Sequence, residues 1–152
     1  MSGAHLRAIR RDGPRPFAPP QSEFTSEFWN GLRGRKLLAS QCNTCARLSF
    51  PPKPFCPHCW CPSVSWKSLS GRGVVYSATV VHAAPRIFRA LAPYSVCIVD
   101  LDENLRIATQ LLGLSSVATA IDRRVEIVVV DYDDGSLFAA QFLENMTKSA
   151  QK

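Results

Sequence analysis

Apolar residues recur along this chain at two periods. In S-E-F-T-S-E-F-W-N-G-L-R, Phe24, Phe28 and Leu32 stand at i, i+4 and i+8, the single stripe of a helix. Ser22 or Thr25 can cap its start, Glu23 and Glu27 favour its first turns, and Gly34 can end it. Trp29 lies beside the stripe. The stripe is either core or, at Phe28 and Trp29, the wall of a ligand or partner groove. From Val74 the pattern is that of strands: V-V-Y-S-A-T-V-V-H, Y-S-V-C-I-V-D-L, L-R-I-A-T-Q-L-L, R-V-E-I-V-V-V-D-Y and L-F-A-A-Q-F-L, rich in β-branched and aromatic residues. The second and third form a hairpin across D-E-N, with Asn104 in the turn, and the last two form one across D-D-G-S. The segments Ala83–Pro93 and Gly113–Asp122 remain as connections. Five short antiparallel strands predict a small closed barrel, of OB or SH3-like type.

Ahead of the barrel, Lys36 to Gln41 and Ser65 to Leu69 read as strands, the latter holding Trp66. Gly71-Arg72-Gly73 marks a sharp change of direction, and the domain boundary is placed there. Residues 1–21 carry Arg7, Arg10, Arg11 and Arg15 among Pro14, Pro16, Pro19 and Pro20. They read as an extended basic arm with no core of its own, ordered by docking on a partner. The division is therefore arm 1–21, helix and ribbon 22–70, barrel 71–143 and tail 144–152.

Between the two strands of the ribbon stands C-N-T-C-A-R-L-S-F-P-P-K-P-F-C-P-H-C. The pairs Cys42/Cys45 and Cys56/Cys59 can each aim two thiolates at one point, which together make the tetrahedral donor set that structural zinc prefers. Pro51, Pro52 and Pro54 stiffen the intervening arm. A unit this small does not fold on its core alone, and zinc supplies about 10–16 kcal/mol to comparable cysteine-ligated domains. Two disulfides, or a C-x-x-C redox motif, are the competing readings. Disulfides would require a secreted domain, against the compartment expected here, and a redox motif does not suit two such pairs with no βαβ pattern around either. His58 is read as solvated, Cys61 as a possible exchange partner for Cys59, Cys97 as a small packed hydrophobe and His82 as structural.

Charge is unevenly spread. Residues 1–70 hold 10 Lys/Arg against 3 Asp/Glu, whereas residues 71–143 hold 6 against 8. The basic half suits phosphates, from a nucleotide cofactor or a nucleic acid. No apolar run approaches the roughly 18 residues of a membrane span. The first residues lack the apolar region of a secretory signal, so the expectation is a cytoplasmic protein without a membrane role. No G-x-S-x-G, P-loop, H-E-x-x-H or G-x-G-x-x-G occurs. The acidic pairs Asp100/Asp102 and Asp133/Asp134 flank turns, where aspartate makes local hydrogen bonds. A binding or assembly role is expected rather than catalysis.

The order F-W-x-G-L, K-L-L-x-x-Q-C-x-x-C, P-P-K-P-F-C-P-x-C, G-R-G-V-V-Y-S and P-Y-S-V-C-I-V-D-L-D resembles the zinc-ribbon/OB-fold proteins associated with acyl-CoA. The likeness covers about Phe24 to Phe142. It implies a mainly β fold: an N-terminal helical segment, a rubredoxin-like zinc ribbon and a C-terminal five-stranded OB-fold barrel. It also implies a non-catalytic accessory subunit of a thiolase-like enzyme (thiolase, acyltransferase or retro-aldolase) in a hetero-oligomer, with acyl-CoA as a shared ligand. Carried over, Cys42, Cys45, Cys56 and Cys59 match the zinc ligands, Phe28 and Trp29 the helix near the acyl-CoA groove, and Pro93 and Tyr94 the opening of the second barrel strand. Ala46, Trp60 and Asn104 stand where that family usually has glycine, and Arg123 stands near another such position.

Two sets of residues follow from these readings. Phe28, Trp29, Leu32, Arg33, Arg35, Lys36, Arg47 and Lys53 are the expected acyl-CoA contacts, combining cations for the phosphates with an apolar wall. Ile87, Phe88, Leu91 and Tyr94 are the expected partner interface. The alternative function is a nucleic-acid-binding ribbon/OB module. The −2 balance of residues 71–143 argues against it, because single-strand binders line the barrel with cations and stacking rings.

Overall fold

The computed structural model describes residues 4–113 and 117–143; the predicted tail 144–152 lies outside them. The chain opens with β1 (Ala8–Arg10), followed by α1 (Glu23–Arg33). Ser22 caps α1 through its side chain and Thr25 reciprocates, forming a capping box that satisfies two otherwise orphaned donors. Three strands form the ribbon sheet: β2 (Leu37–Cys42) lies between β3 (Leu48–Ser49) and β4 (Val64–Leu69). Five more build the barrel: β5 (Arg72–Val81), β6 (Tyr94–Leu101), β7 (Arg106–Leu112), β8 (Arg124–Tyr132) and β9 (Gly135–Phe142).

The barrel closes in the order β5-β6-β7-β9-β8 and back to β5. A simple meander would set β7 beside β8. Instead β7 pairs in parallel with β9, matching Leu111 to Ala140 and Leu112 to Gln141. That crossover makes the barrel an OB fold and resolves the choice the strand pattern left open. Short 3-10 turns occupy both expected connections, at Arg86–Leu91 and Val117–Thr119. Asn104 takes the left-handed conformation in the β6–β7 turn, with φ 58°.

The Gly71-Arg72-Gly73 stretch differs from its sequence reading. Gly71 makes the turn, with φ +74°. Gly73 lies within β5, where an added Cβ would meet the Asp100 carbonyl oxygen at 2.4 Å. One glycine supplies a left-handed backbone and the other a close approach of strands.

Three rings from three parts of the chain meet at the centre. Phe28 of α1, Phe50 of the ribbon and Phe138 of β9 make edge-to-face pairs with centroids 5.8–6.2 Å apart, the geometry aromatic quadrupoles favour. Beside them, Phe24 stacks on Trp66 at 4.9 Å, and Leu32 is fully buried.

The N-terminal arm also departs from expectation. It docks on its own barrel, where β1 pairs in parallel with β8, Ala8 opposite Val129. Leu6 is 5% exposed within the main core, and its N–H donates to the Arg35 carbonyl at 2.8 Å. Further along, the Gly13 and Arg15 N–H groups donate to the carboxylates of Asp133 and Asp134. A three-residue strand held by backbone bonds leaves no periodic signature, so the pairing was invisible in sequence. Truncating Leu6 to Ala should cost about 2–4 kcal/mol, read as a lower urea midpoint with unchanged slope. A shift below about 0.5 kcal/mol would place the arm outside the core.

Candidate metal centre and adjoining grooves

Cys42 ends β2, and Cys45, Cys56 and Cys59 come from the two turns that follow. All four sulfur atoms lie within 4.8 Å of one another. Cys42 Sγ stands 3.5 Å from Cys59 Sγ, and Cys45 Sγ stands 3.6 Å from Cys56 Sγ. A tetrahedron with metal–sulfur bonds of about 2.3 Å has sulfur–sulfur edges of about 3.8 Å, so one metal ion fits. A disulfide needs about 2.05 Å, and the six cysteines are unbridged. Cys61 stands outside the cluster, its sulfur accepting from Thr44 Oγ1 at 3.0 Å.

Ala46 and Trp60 take the conformation for which glycine is usual, with φ 60° and 62°. The turns keep their bonds nevertheless: Ala46 N–H donates to the Cys42 carbonyl at 3.0 Å, and Trp60 N–H to the Cys56 carbonyl at 2.9 Å. Trp60 is 75% exposed and stacks flat on Phe55 at 5.7 Å. The left-handed backbone costs an L-residue about 1–2 kcal/mol, and the cluster forms despite it.

The thiols do not share one protonation behaviour. The Cys45 N–H leads in lowering Cys42 to about 6, against the opposing effect of burial. For Cys56 burial is the largest influence and raises it, but the N–H groups of Cys59 and His58 outweigh it, so its net shift is downward. At Cys45 the Arg47 N–H opposes, yet burial and the neighbouring Cys56 and Cys42 push the thiol up. At Cys59 the Cys61 N–H opposes, and Cys42, burial and the other sulfurs raise it to about 12. Near pH 7 the metal-free cluster therefore retains protons at Cys59 and Cys45, and a bound cation must displace them. Cys97 is isolated in the barrel wall, where burial raises it to about 11; it packs as a thiol.

The surface carries two further grooves, only the second of which borders the cysteine turns. The first, of about 560 Å³, is formed where the arm, α1, the 86–91 turn and the barrel meet. Its lining includes Phe17, Trp29, Phe88, Leu91, Tyr94 and Phe138. The second, of about 680 Å³, lies between the ribbon and the β6–β7 turn, with Arg47, Lys53, His58, Phe50, Glu103 and Leu105 on its walls.

The structure sorts the expected acyl-CoA residues into separate places. Phe28 and Leu32, 4% and 0% exposed, belong to the core: the stripe they share is the face α1 turns inward. Trp29, one position off the stripe, lines the apolar groove. Arg47 and Lys53 line the second groove. Lys36 borders a third depression with His5, Glu27 and Trp66, and Arg33 and Arg35 are exposed near the end of α1. Of the expected interface residues, Phe88, Leu91 and Tyr94 line the apolar groove, while Ile87, 55% exposed, points elsewhere. Sequence reading missed Phe17, Phe138, His58 and Glu103 as groove residues. Only the alternation of β9 could have signalled Phe138.

The acidic pairs are engaged in ion pairs. Asp100 receives two bonds from Arg106, and Asp102 two from Arg124; these bonds hold both carboxyls below the usual range. Asp134 is likewise lowered, chiefly by the Arg15 N–H.

If the cluster binds zinc, affinity should rise with pH and protons should be released on binding. The sign follows from the raised thiols, which must lose protons that a higher pH has already removed. Below about pH 6 Cys42 of the metal-free cluster is protonated as well, so metal affinity should fall further. Competition against a coloured chelator at pH 6 and pH 8 checks this; equal affinities at the two pH values would contradict it. Ala46→Gly should raise stability by roughly 0.5–1 kcal/mol by relieving the left-handed strain, measured by thermal unfolding of the metal-loaded chain.

Both halves match described domains. "ChsH2, rubredoxin-like zinc ribbon domain" matches residues 29–64, and "ChsH2, C-terminal OB-fold domain" matches residues 66–130. A "DUF35 domain-containing scaffold protein" of Methanocaldococcus jannaschii is 34% identical over 113 residues, covering 70% of this chain and 80% of that protein. The "Benzoylsuccinyl-CoA thiolase subunit BbsA" of Thauera aromatica is 35% identical over 97 residues, 64% of this chain and 65% of that subunit. Against two hydratase alpha subunits the chain spans only 32% and 38% of their length. Among solved structures, the "Ltp2-ChsH2(DUF35) aldolase" contains a chain that superposes with TM-score 0.71 at 28% identity, over 82% of this chain and 98% of that one. The ribbon, the barrel and these relatives agree, and the chain belongs to the DUF35 family of ChsH2-type zinc-ribbon/OB-fold proteins.

Proposed function

We propose that this chain is a non-catalytic accessory subunit of a thiolase-like acyl-CoA enzyme. It holds one structural zinc in its ribbon and helps hold or shield the acyl group within a hetero-oligomer. The observation that carries this reading is the apolar groove. Trp29, Phe88, Leu91 and Tyr94 converge there from three separate segments, and among the described residues no histidine, cysteine, lysine or carboxylate lines it. Such a groove can exclude water and orient an acyl chain; acid–base and nucleophilic chemistry would have to come from a partner. Its rim is unfinished. Phe17 is 46% and Leu91 37% exposed. Apolar exposure of this kind favours coverage by another protein. The names of the thiolase subunit and the aldolase complex support a partner of that class, and the scaffold names support a subunit without chemistry of its own.

Reconstitution tests the proposal. The chain should co-purify with a thiolase-like partner and raise that partner's acyl-CoA affinity or turnover. Trp29→Ala should preserve assembly but weaken acyl-CoA binding by about ten- to a hundredfold, since losing a large half-buried aromatic contact is worth about 1.5–3 kcal/mol. A chain that neither joins such a partner nor changes its kinetics would refute the proposal.

A further inference from the structure

The second cysteine turn carries a large apolar side chain that the turn itself does not use. Trp60 holds a left-handed backbone, φ 62°, which glycine adopts without strain. The turn closes through backbone bonds: Trp60 N–H donates to the Cys56 carbonyl, and Cys56 N–H to the Cys61 carbonyl, both at 2.9 Å. Neither bond needs the indole. One face of the ring covers Phe55, nearly parallel at 6°, yet Trp60 stays 75% exposed, the most of any large hydrophobic residue described. At the matching position of the first turn, Ala46 has φ 60° but adds only a methyl group. Both turns bear the same strain, and one of them also bears an uncovered ring. Strain of this kind persists where function makes use of it.

The charge around the ring indicates what covers it. No Asp or Glu stands between Glu27 and Asp100, whereas nine Lys/Arg do. Cations of the arm and barrel are answered within the molecule, for Arg7, Arg10, Arg15, Arg106 and Arg124 all form ion pairs. Those of the ribbon are not: among the described residues no carboxylate pairs with Arg47 or Lys53. Glu103 lines the same groove as these two, but one of its oxygens accepts from the Ser70 N–H at 2.6 Å and the other is buried. Lys53 Nζ lies 6.0 Å from the centre of the Phe55 ring, the ring on which Trp60 stacks. The Arg47 guanidinium stands 3.4 Å from Nδ1 of the exposed His58. An aromatic anchor flanked by unpaired cations complements an apolar pocket rimmed by carboxylates. Single-strand nucleic-acid sites instead string several stacking rings along a cationic groove. Here the other stacked pair among the described residues, Phe24 with Trp66, is half-buried between α1 and β4, so a protein surface is favoured.

We infer that the tip of the second cysteine turn is a docking anchor: Trp60 enters an apolar pocket rimmed by carboxylates on the enzyme that this chain accompanies, and Arg47 and Lys53 steer the approach. This rests on the accessory-subunit reading but uses a different surface, since Lys53, Phe55 and Trp60 do not line the apolar groove.

The test is the kinetics of association between the zinc-loaded full chain and the thiolase-like enzyme with which it co-purifies. Trp60→Gly should leave the thermal midpoint of the free chain unchanged or raise it, while affinity for the enzyme falls at least tenfold, mostly through faster dissociation. Trp60→Phe should retain more affinity than Trp60→Gly. Lys53→Glu should slow association several-fold at low salt, and the difference should shrink as salt rises. Zinc content should be the same in wild type and in all three variants. If Trp60→Gly binds the enzyme as tightly as wild type, the anchor is overturned and the accessory-subunit reading stands. If Trp60→Gly lowers the thermal midpoint, the ring serves the turn itself and the anchor is likewise overturned. Unchanged association of Lys53→Glu at low salt would overturn the carboxylate rim. Self-association of the wild-type chain that Trp60→Gly abolishes would assign the ring to a second copy, and tighter binding of a single-stranded oligonucleotide than of the enzyme would assign it to nucleic acid; either overturns the proposal. A chain that joins no such enzyme overturns the anchor and the accessory-subunit reading together.

Discussion

Four sulfur atoms held at contact distance cannot all be thiolates unless a cation lies among them. The chain brings Cys42, Cys45, Cys56 and Cys59 together, with N–H groups that favour charge on Cys42 and crowding that opposes it on Cys59. A bound metal ion would remove this conflict, and much of the remaining structure depends on it. The ribbon sheet has one short outer strand, Leu48–Ser49. The same strand leads into Phe50, which joins the ring cluster, and its approach carries Arg47 to the groove wall. Loss of the metal should therefore disturb a distant apolar surface through Phe50.

The Phe28–Phe50–Phe138 cluster plays the second organising part. Each ring comes from a different unit, so the helix, ribbon and barrel share one packing centre. The cluster also forms the wall between a cationic and an apolar groove. Leu6 also packs into this core, where a Cβ on Gly71 would meet its side chain at 2.6 Å. The N-terminal arm thereby belongs to the body of the molecule and supplies Phe17 to the apolar groove.

Local rules made much of this legible. The C-x-x-C spacing identified the sulfur cluster, because the ligands of each pair lie on one tight turn. Ser22 and Gly34 bounded α1 as caps, and the strands of the barrel followed from β-branched runs. What escaped was non-local. Phe28 and Trp29 are sequence neighbours, yet one is core and the other groove wall, a difference set by which side of α1 the barrel covers. The cations from Arg33 to Lys53 looked like one group in the sequence, but the fold scatters them over separate faces. Gly73 seemed a turn residue, but its reason lies in the Asp100 carbonyl across the sheet.

A density map of the reconstituted complex with a non-hydrolysable acyl-CoA analogue tests the account most directly. The account predicts the acyl arm beside Trp29 and Phe88, at the junction with the partner. An analogue held wholly by the partner, with the apolar groove of this chain facing solvent, would contradict it.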